Sequence, residues 1–415
     1  MDLKMKTVMK LAYKNITYNI KRTLFTLLCV ILSVSIIAIA LCLSASILNN
    51  VDFEGDAANY SAAKSLCTVF SAAAILMSCF TVCTVFSVST QERIKEYGFL
   101  SSIGMSASQR AVMIVSEALI YGSAGVILGT ASGCALASLF YRIISSLLLN
   151  SAGIDIGNIT ISFSTVCIAL LAGLAAVVLS SFLPILKMRK ITILESIKTN
   201  NQINISLKES VLSKLTGKAF GKIGVLAGQN YDNNKGRYRA ISLALSGGTI
   251  FFLTVHSLFL FPFWYELDQR NSLAGVDKLC YPLAYISAVF MAYFVFVFIF
   301  CAMGSVRQNI EQRKPEFAIY KSMGMQNAEL QKMIRIECLF FTWYSIWFGL
   351  IGSLIGTYVV CNFYRMAGAD ELRFHYPMLE FLFFVCIDSI VGFVFSLYFR
   401  RRISRINIID TIRNG

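Results

Sequence analysis

Histidine is almost missing from this chain, with 2 residues among 415. That leaves little room for an imidazole metal site or a histidine-based catalytic centre. Proline is scarce too, at 5. Only 14% of residues are charged, where soluble domains carry roughly a quarter. The 12 cysteines contain no Cys-x-x-Cys pair. Most lie inside apolar runs, with Cys79 and Cys83 one helical turn apart, and they read as small buried hydrophobes. No Gly-x-x-x-x-Gly-Lys-Ser/Thr occurs: "GKAF" from Gly217 and "GKIG" from Gly221 lack the hydroxyl that would hold magnesium. ATP binding through that motif is therefore not expected on this chain. The absence of His-Glu-x-x-His and of a paired-Asp protease pattern argues against a membrane enzyme.

Apolar sequence is abundant. Hydrophobic residues make up 56% and mean hydropathy is +0.66, which implies a polytopic, all-α membrane protein. Eight apolar spans are long enough to cross a hydrocarbon core of roughly 30 Å. They lie near 24–48, 62–89, 112–148, 161–186, 240–264, 279–304, 336–364 and 377–399. The third exceeds one simple crossing, so it is tilted, broken, or runs on outside the membrane. The first follows a basic arm (Lys14, Lys21, Arg22), which predicts an uncleaved anchor rather than a signal peptide.

The net charge is +14, and its distribution decides its meaning. Of the Lys and Arg residues, one set of alternate loops holds only Lys64, Arg142, Arg270, Lys278, Arg365 and Arg373. The rest of the 37 fall on the other side, a strong positive-inside bias that predicts cytoplasmic termini. The basic excess thus marks topology and contact with anionic lipid rather than nucleic acid.

The chain is written twice. Shifted by 220 positions, Arg93, Glu96, Ser102, Gly104, Met105, Met113, Ile114, Glu117 and Leu119 meet Arg313, Glu316, Ser322, Gly324, Met325, Met333, Ile334, Glu337 and Leu339. Shifted by 215, "LAYKNITYNIKR" (Leu11–Arg22) meets "LAGQNYDNNKGR" (Leu226–Arg237), and "KITILESIK" (Lys190–Lys198) meets "RINIIDTIR" (Arg405–Arg413). The expected organisation is a first four-span repeat over 1–198, a polar cytoplasmic linker over 199–224, and a second four-span repeat over 225–415. Four spans is an even number, so the repeats are parallel, related by an axis along the membrane normal.

The central shared motif is polar and falls between spans. In "YGFLSSIGMSASQR" (Tyr97–Arg110), a helix leaves the second span carrying an apolar patch at Phe99, Leu100 and Ile103. Gly104 follows as a helix C-cap, and Ser106-x-x-Gln109 reads as a capping box opening the third span. The second copy, "FAIYKSMGMQNAEL" (Phe317–Leu330), keeps the glycine but has Gln326-x-x-Glu329, a weaker cap. Each copy predicts a short surface helix, a sharp turn and re-entry into the membrane. The residues alone leave two readings open: a docking element for a two-fold symmetric soluble partner, or a hairpin lying on the lipid surface.

The segments "SVSTQERIKEYGFLSSIGMSASQRAVMIVSEALIYGSAGVILG" and "RQNIEQRKPEFAIYKSMGMQNAELQKMIRIECLF" resemble the permease domain of FtsX-like and MacB-like ABC transporters, as does the arm "LAYKNITYNIKRTLFTLLCVILSV". The paired layout is most similar to bacitracin-type (BceB-like) antimicrobial-peptide permeases. The resemblance implies that the short helix docks on a separate ABC ATP-binding subunit, present in two copies, which would carry ATP and Mg while this chain carries no cofactor. It makes Glu96, Phe99, Leu100, Gly104 and Met105, with Glu316, Ile319, Tyr320, Gly324 and Met325, the expected ATPase-coupling residues. It also implies a bacterial plasma-membrane location and an amphiphilic substrate, such as an antimicrobial peptide or a lipid-linked molecule. The outer loops depart from such permeases. All four are too short to form the large extracytoplasmic domain usual there, which leaves room for an extracytoplasmic accessory protein.

Acids inside the spans are functional candidates by default. Glu117 and Glu337 sit near the membrane edge, where a structural hydrogen bond to an arm residue such as Arg22 or Arg237 is the favoured reading. Asp388 lies deeper and has no matching acid in the first half. His256 reads as a core histidine. Gly125, Gly129 and Gly133, and Gly352 and Gly356, have the spacing that lets helices approach closely. Two rival functions remain: a signalling subunit working with a sensor histidine kinase, and an ion-coupled secondary transporter, for which Asp388 is the one candidate.

Overall fold

Long apolar runs with no water to satisfy their backbone must form helices, and the computed structural model is helical over most of its described residues, with short turns and extended links between the helices. These are 10, 12–14, 20–50, 57–92, 94–152, 158–190, 211–233, 235–270, 293–297, 299–300, 303, 313, 316–366 and 373–403. Ten helices follow in order among them. The first half contains α1 (Ile20–Asn50), α2 (Ala57–Glu92), α3 (Ile94–Ser102), α4 (Ala107–Ala152) and α5 (Phe163–Lys190). A helical pair, α6 (Val211–Phe220) and α7 (Lys222–Asn233), leads into α8 (Lys235–Arg270), α9 (Asn327–Met366) and α10 (Met378–Ile403). A further short helix covers 316–322. No strand occurs among the described residues.

Among the described residues, five helices are long and apolar enough to cross a membrane: Thr23–Asn50, Cys67–Phe86, Ser108–Ser146, Phe163–Phe182 and Asn327–Met366. They coincide with the expected first, second, third, fourth and seventh spans. The expected fifth and eighth fall on α8 and α10. Most of the sixth, near 279–304, lies outside the described residues, as do 199–210 of the linker and the tail from 405.

The long third span is one unbroken helix of 46 residues. At 1.5 Å per residue that is about 69 Å, more than twice the hydrocarbon core, so α4 runs on beyond the bilayer. The polar linker is also more ordered than its composition suggests. Its last part is helical, and position 225 falls inside α7. Gly221 supplies the turn between α6 and α7 at φ 71°. Gly228 brings α7 so close that an added Cβ would lie 2.7 Å from the Ser213 Cα.

The most extensive packing joins α1 to α4 and α8 to α9, and the glycine stripes make both contacts. A Cβ at Gly125 would sit 2.6 Å from Val30 Cγ1, and one at Gly133 would sit 2.8 Å from the Ser35 carbonyl oxygen. In the second half Gly349 faces Thr249, while Gly352 and Gly356 are pressed against Ile250 and Thr254. The two halves meet in one apolar core, where Phe70 packs edge-on to Phe259 and Phe25 stacks on Phe300 at 5.2 Å. The Ser35 hydroxyl meets the Tyr293 hydroxyl across the same boundary.

Candidate coupling site

Both motifs build the same tip. In the first, Gly104 N–H donates to Ser101 O and Met105 N–H to Leu100 O, each at 3.0 Å. In the second, Gly324 N–H donates to Lys321 O at 3.0 Å and Met325 N–H to Tyr320 O at 3.1 Å. This paired pattern is a Schellman cap, which requires a left-handed residue. Gly104 and Gly324 have φ of 102° and 92°. A Cβ on either would meet nothing within 4 Å, so backbone conformation alone demands the glycine.

Re-entry follows the expected caps. Ser106 Oγ accepts from Gln109 N–H at 3.3 Å, and Gln109 Oε1 accepts from Ser106 N–H at 3.0 Å, a reciprocal capping box. The second copy makes one half of it, Gln326 N–H to Glu329 Oε2 at 3.1 Å.

The two helices turn matching faces inward. Tyr97 and Phe317 are fully buried, whereas Phe99 is 65% exposed, Ile103 69% and Met323 64%. Ile319, the counterpart of Phe99, is half-buried. Leu100 and Met105 lean on the cluster of Ala12, Tyr97, Met113 and Ile114. Met325 leans on the second-half cluster around Phe317 and Met333. Glu96 is exposed and Glu316 half-buried. Tyr320, expected at the tip, is instead part of that second-half core, and burial lifts its phenol above the ordinary value against the opposing pull of Arg313. The exposed apolar tip is therefore Phe99 with Ile103 in one copy and Met323 in the other. Ile103 and Met323 stand immediately before the two glycines, a position that marks the end of the tip.

Beneath the second tip lies a buried ion pair. Arg313 donates from Nη1 to Glu337 Oε2 at 2.6 Å and from Nη2 to Glu337 Oε1 at 3.3 Å. Its Nε donates to Glu316 Oε2 at 2.9 Å, and its guanidinium lies 4.9 Å from the Phe317 ring centroid. Asn230 Nδ2 donates to Glu337 Oε1 at 2.6 Å. Arg313 and Glu337 are each only 2% exposed.

The expected partner of Glu337 was an arm residue such as Arg22 or Arg237. An arm residue does bond it, Asn230, and Arg313 of the motif segment joins it there. The side chains of Arg22 and Arg237 lie outside the description. One network thus joins the arm α7, the motif and α9. Tyr231 of α7 adds to it by stacking on Tyr344 at 5.7 Å. Glu117 is buried like Glu337. The residues that correspond to Arg313 and Asn230 in the first half, Arg93 and Asn15, lie outside the described residues. All three positions are identities of the repeat, which was the available signal for the network.

Asp388 is buried, 2% exposed, and accepts from Ser345 Oγ at 3.2 Å. His256 is buried beside Glu380, Nε2 to Oε1 3.4 Å, and stacks on Phe252. Neither touches the motif network among the described residues.

The FtsX-like permease C-terminal model matches residues 68–193 and 288–408, more than half of the chain and one motif in each stretch. The chain belongs to the FtsX-like permease family. Such a permease is the membrane subunit of an ABC transporter, with its ATPase as a partner. Comparison with curated proteins gives no match. The family match falls on the repeated segments, so the two capped tips of this permease occupy equivalent places in its two matched regions.

Proposed function

We propose that this FtsX-like permease is driven through its two capped tips. Each tip docks on one copy of an ABC ATP-binding subunit at the cytoplasmic face of a bacterial plasma membrane. ATP and Mg stay on that subunit. Closure of the ATPase dimer pushes both motif helices, and the second passes the movement through Arg313 and Glu337 into α9. Nucleotide then shifts the populations of two packings of the spans. Short outer loops and apolar spans favour an amphiphilic substrate that enters from the bilayer, an antimicrobial peptide or a lipid-linked molecule.

One observation carries this reading: apolar side chains more than half exposed at two equivalent, rigidly capped tips. A tip that only rested on lipid would tolerate another apolar residue or a serine. A docking tip loses its anchor, because a few buried apolar residues dominate interface energy. The combined variant Phe99→Ser, Ile103→Ser, Met323→Ser is expected to insert and stay folded while losing co-purification with the ATP-binding subunit. Unchanged co-purification by that variant would sink the proposal.

A further inference from the structure

The membrane-buried acid of the second half stands apart from the coupling network. Asp388 faces α9, where Ser345, fully buried, gives it one hydrogen bond through Oδ2. Its Oδ1 is buried with no hydrogen-bond partner among the described residues. Around it Ile387 and Val391 pack with Leu245, Cys338 and Phe341, Phe384 packs on Phe252 at 4.3 Å, and the nearby Thr342 hydroxyl donates to the Cys338 carbonyl.

No cation stands at the acid among the described residues. Along α10 the exposed thiol of Cys386 lies two residues away, and the next acid is Glu380, two turns away and already beside His256 of α8. The arginines of α10 lie at its other end, and Lys235, Arg237 and Arg239 lie at the matching end of α8. On α9, Glu337 is held by Arg313, Arg335 lies beside it at the motif end, Tyr344 stacks on Tyr231, and Arg365 is near the far end. Residues 279–304, where the sequence predicts the remaining span of this half, contain tyrosines and cysteines but no Asp, Glu, Lys, Arg or His.

The repeat shows that the fold does not require this acid. "VCIALLAG" (Val166–Gly173) and "VCIDSIVG" (Val385–Gly392) share Val, Cys, Ile and Gly in register. That register puts Ala169, fully buried, where the second half has Asp388. By the motif shift, Gly125 stands where the second half has Ser345. An apolar pair in one half is thus replaced by a hydrogen-bonded acid and hydroxyl in the other. An isolated carboxylate in such surroundings is strongly disfavoured, and a closed seam with both oxygens covered admits no ligand larger than a proton.

We propose that Asp388 is a proton-binding site, loaded while α9 and α10 pack as seen here and emptied when their seam opens to water. Protonation stabilises the packed seam at low pH, and that stabilisation is lost as pH rises. Above the ordinary carboxylate range, opening would gain up to tenfold per pH unit from one released proton. The site exists in only one half, so the two halves of the permease respond unequally to pH.

The test uses the full chain in lipid nanodiscs without an ATPase, so its failure is separate from any failure of the coupling reading. Infrared spectra at neutral pH are expected to show a protonated-carboxyl C=O band that Asp388→Asn removes. The thermal midpoint of wild type is expected to fall with rising pH relative to that variant. Asp388→Ala, which copies Ala169, serves as a second variant should the asparagine not fold. Absence of the band, or its persistence in both variants, overturns the proton site. Parallel midpoint curves overturn release on opening.

Discussion

Arg313→Leu is expected to cost about 3–5 kcal/mol of stability, the usual penalty for removing one partner of a buried ion pair. Most of that penalty comes from the residue left behind. Glu337 is 2% exposed, and without the guanidinium it loses both bonds from Arg313 while Asn230 still donates to it. Its charge would then sit in a site shared with Met333, Phe341 and Cys338. The double variant Arg313→Met, Glu337→Leu is expected to recover most of the loss, because apolar replacement of a whole buried pair is often close to neutral. The same double variant should uncouple the second tip from α9, since the direct link between them is gone. Thermal unfolding of the purified permease reads the first effect. A single variant within about 1 kcal/mol of wild type would show that the pair is not the anchor that the geometry implies.

The second large effect belongs to the α1–α4 contact. Gly133→Leu is expected to destabilise by about 1–3 kcal/mol or more, as overpacking of a close helix contact does. The obstacle is the Ser35 carbonyl oxygen, 2.8 Å from where a Cβ would lie. A backbone atom cannot rotate aside, so α1 must move away from α4 along its length. Ala131, exposed on the same helix, provides the control, and Ala131→Leu is expected to leave stability unchanged. Equal melting behaviour of the two variants would mean that the contact is loose rather than close-packed.

The apolar spans, the glycine stripes and the capped motif were legible in the sequence because each depends on local pattern. Gly104 and Gly324 declare a left-handed turn without any knowledge of the fold. What packs on what was less legible. Tyr320 and Leu100 occupy the same place in the repeat, and helical periodicity gives both the same face. The tyrosine is buried in a cluster with Ala227, Tyr231 and Phe317, whereas Leu100 is only half-buried against Ala12 and Tyr97, and no local signal records that difference in depth. The Arg313–Glu337 pair spans a turn and two helices, so several basic residues were equal candidates from charge alone. The end of the linker was hidden for another reason. Gly, Ser and Thr read as loop composition, yet here Gly228 and Ser213 are the close-packed face between α6 and α7.

The central claim is that both tips engage an ATP-binding subunit in the same complex. Cysteine placed at Ile103 and at Met323, one at a time and together, allows cross-linking to that subunit in membranes. The expected result is a cross-linked product from each single variant and a species carrying two ATP-binding subunits from the double variant. Products from neither position, in variants that insert and remain folded, would contradict coupling through the tips.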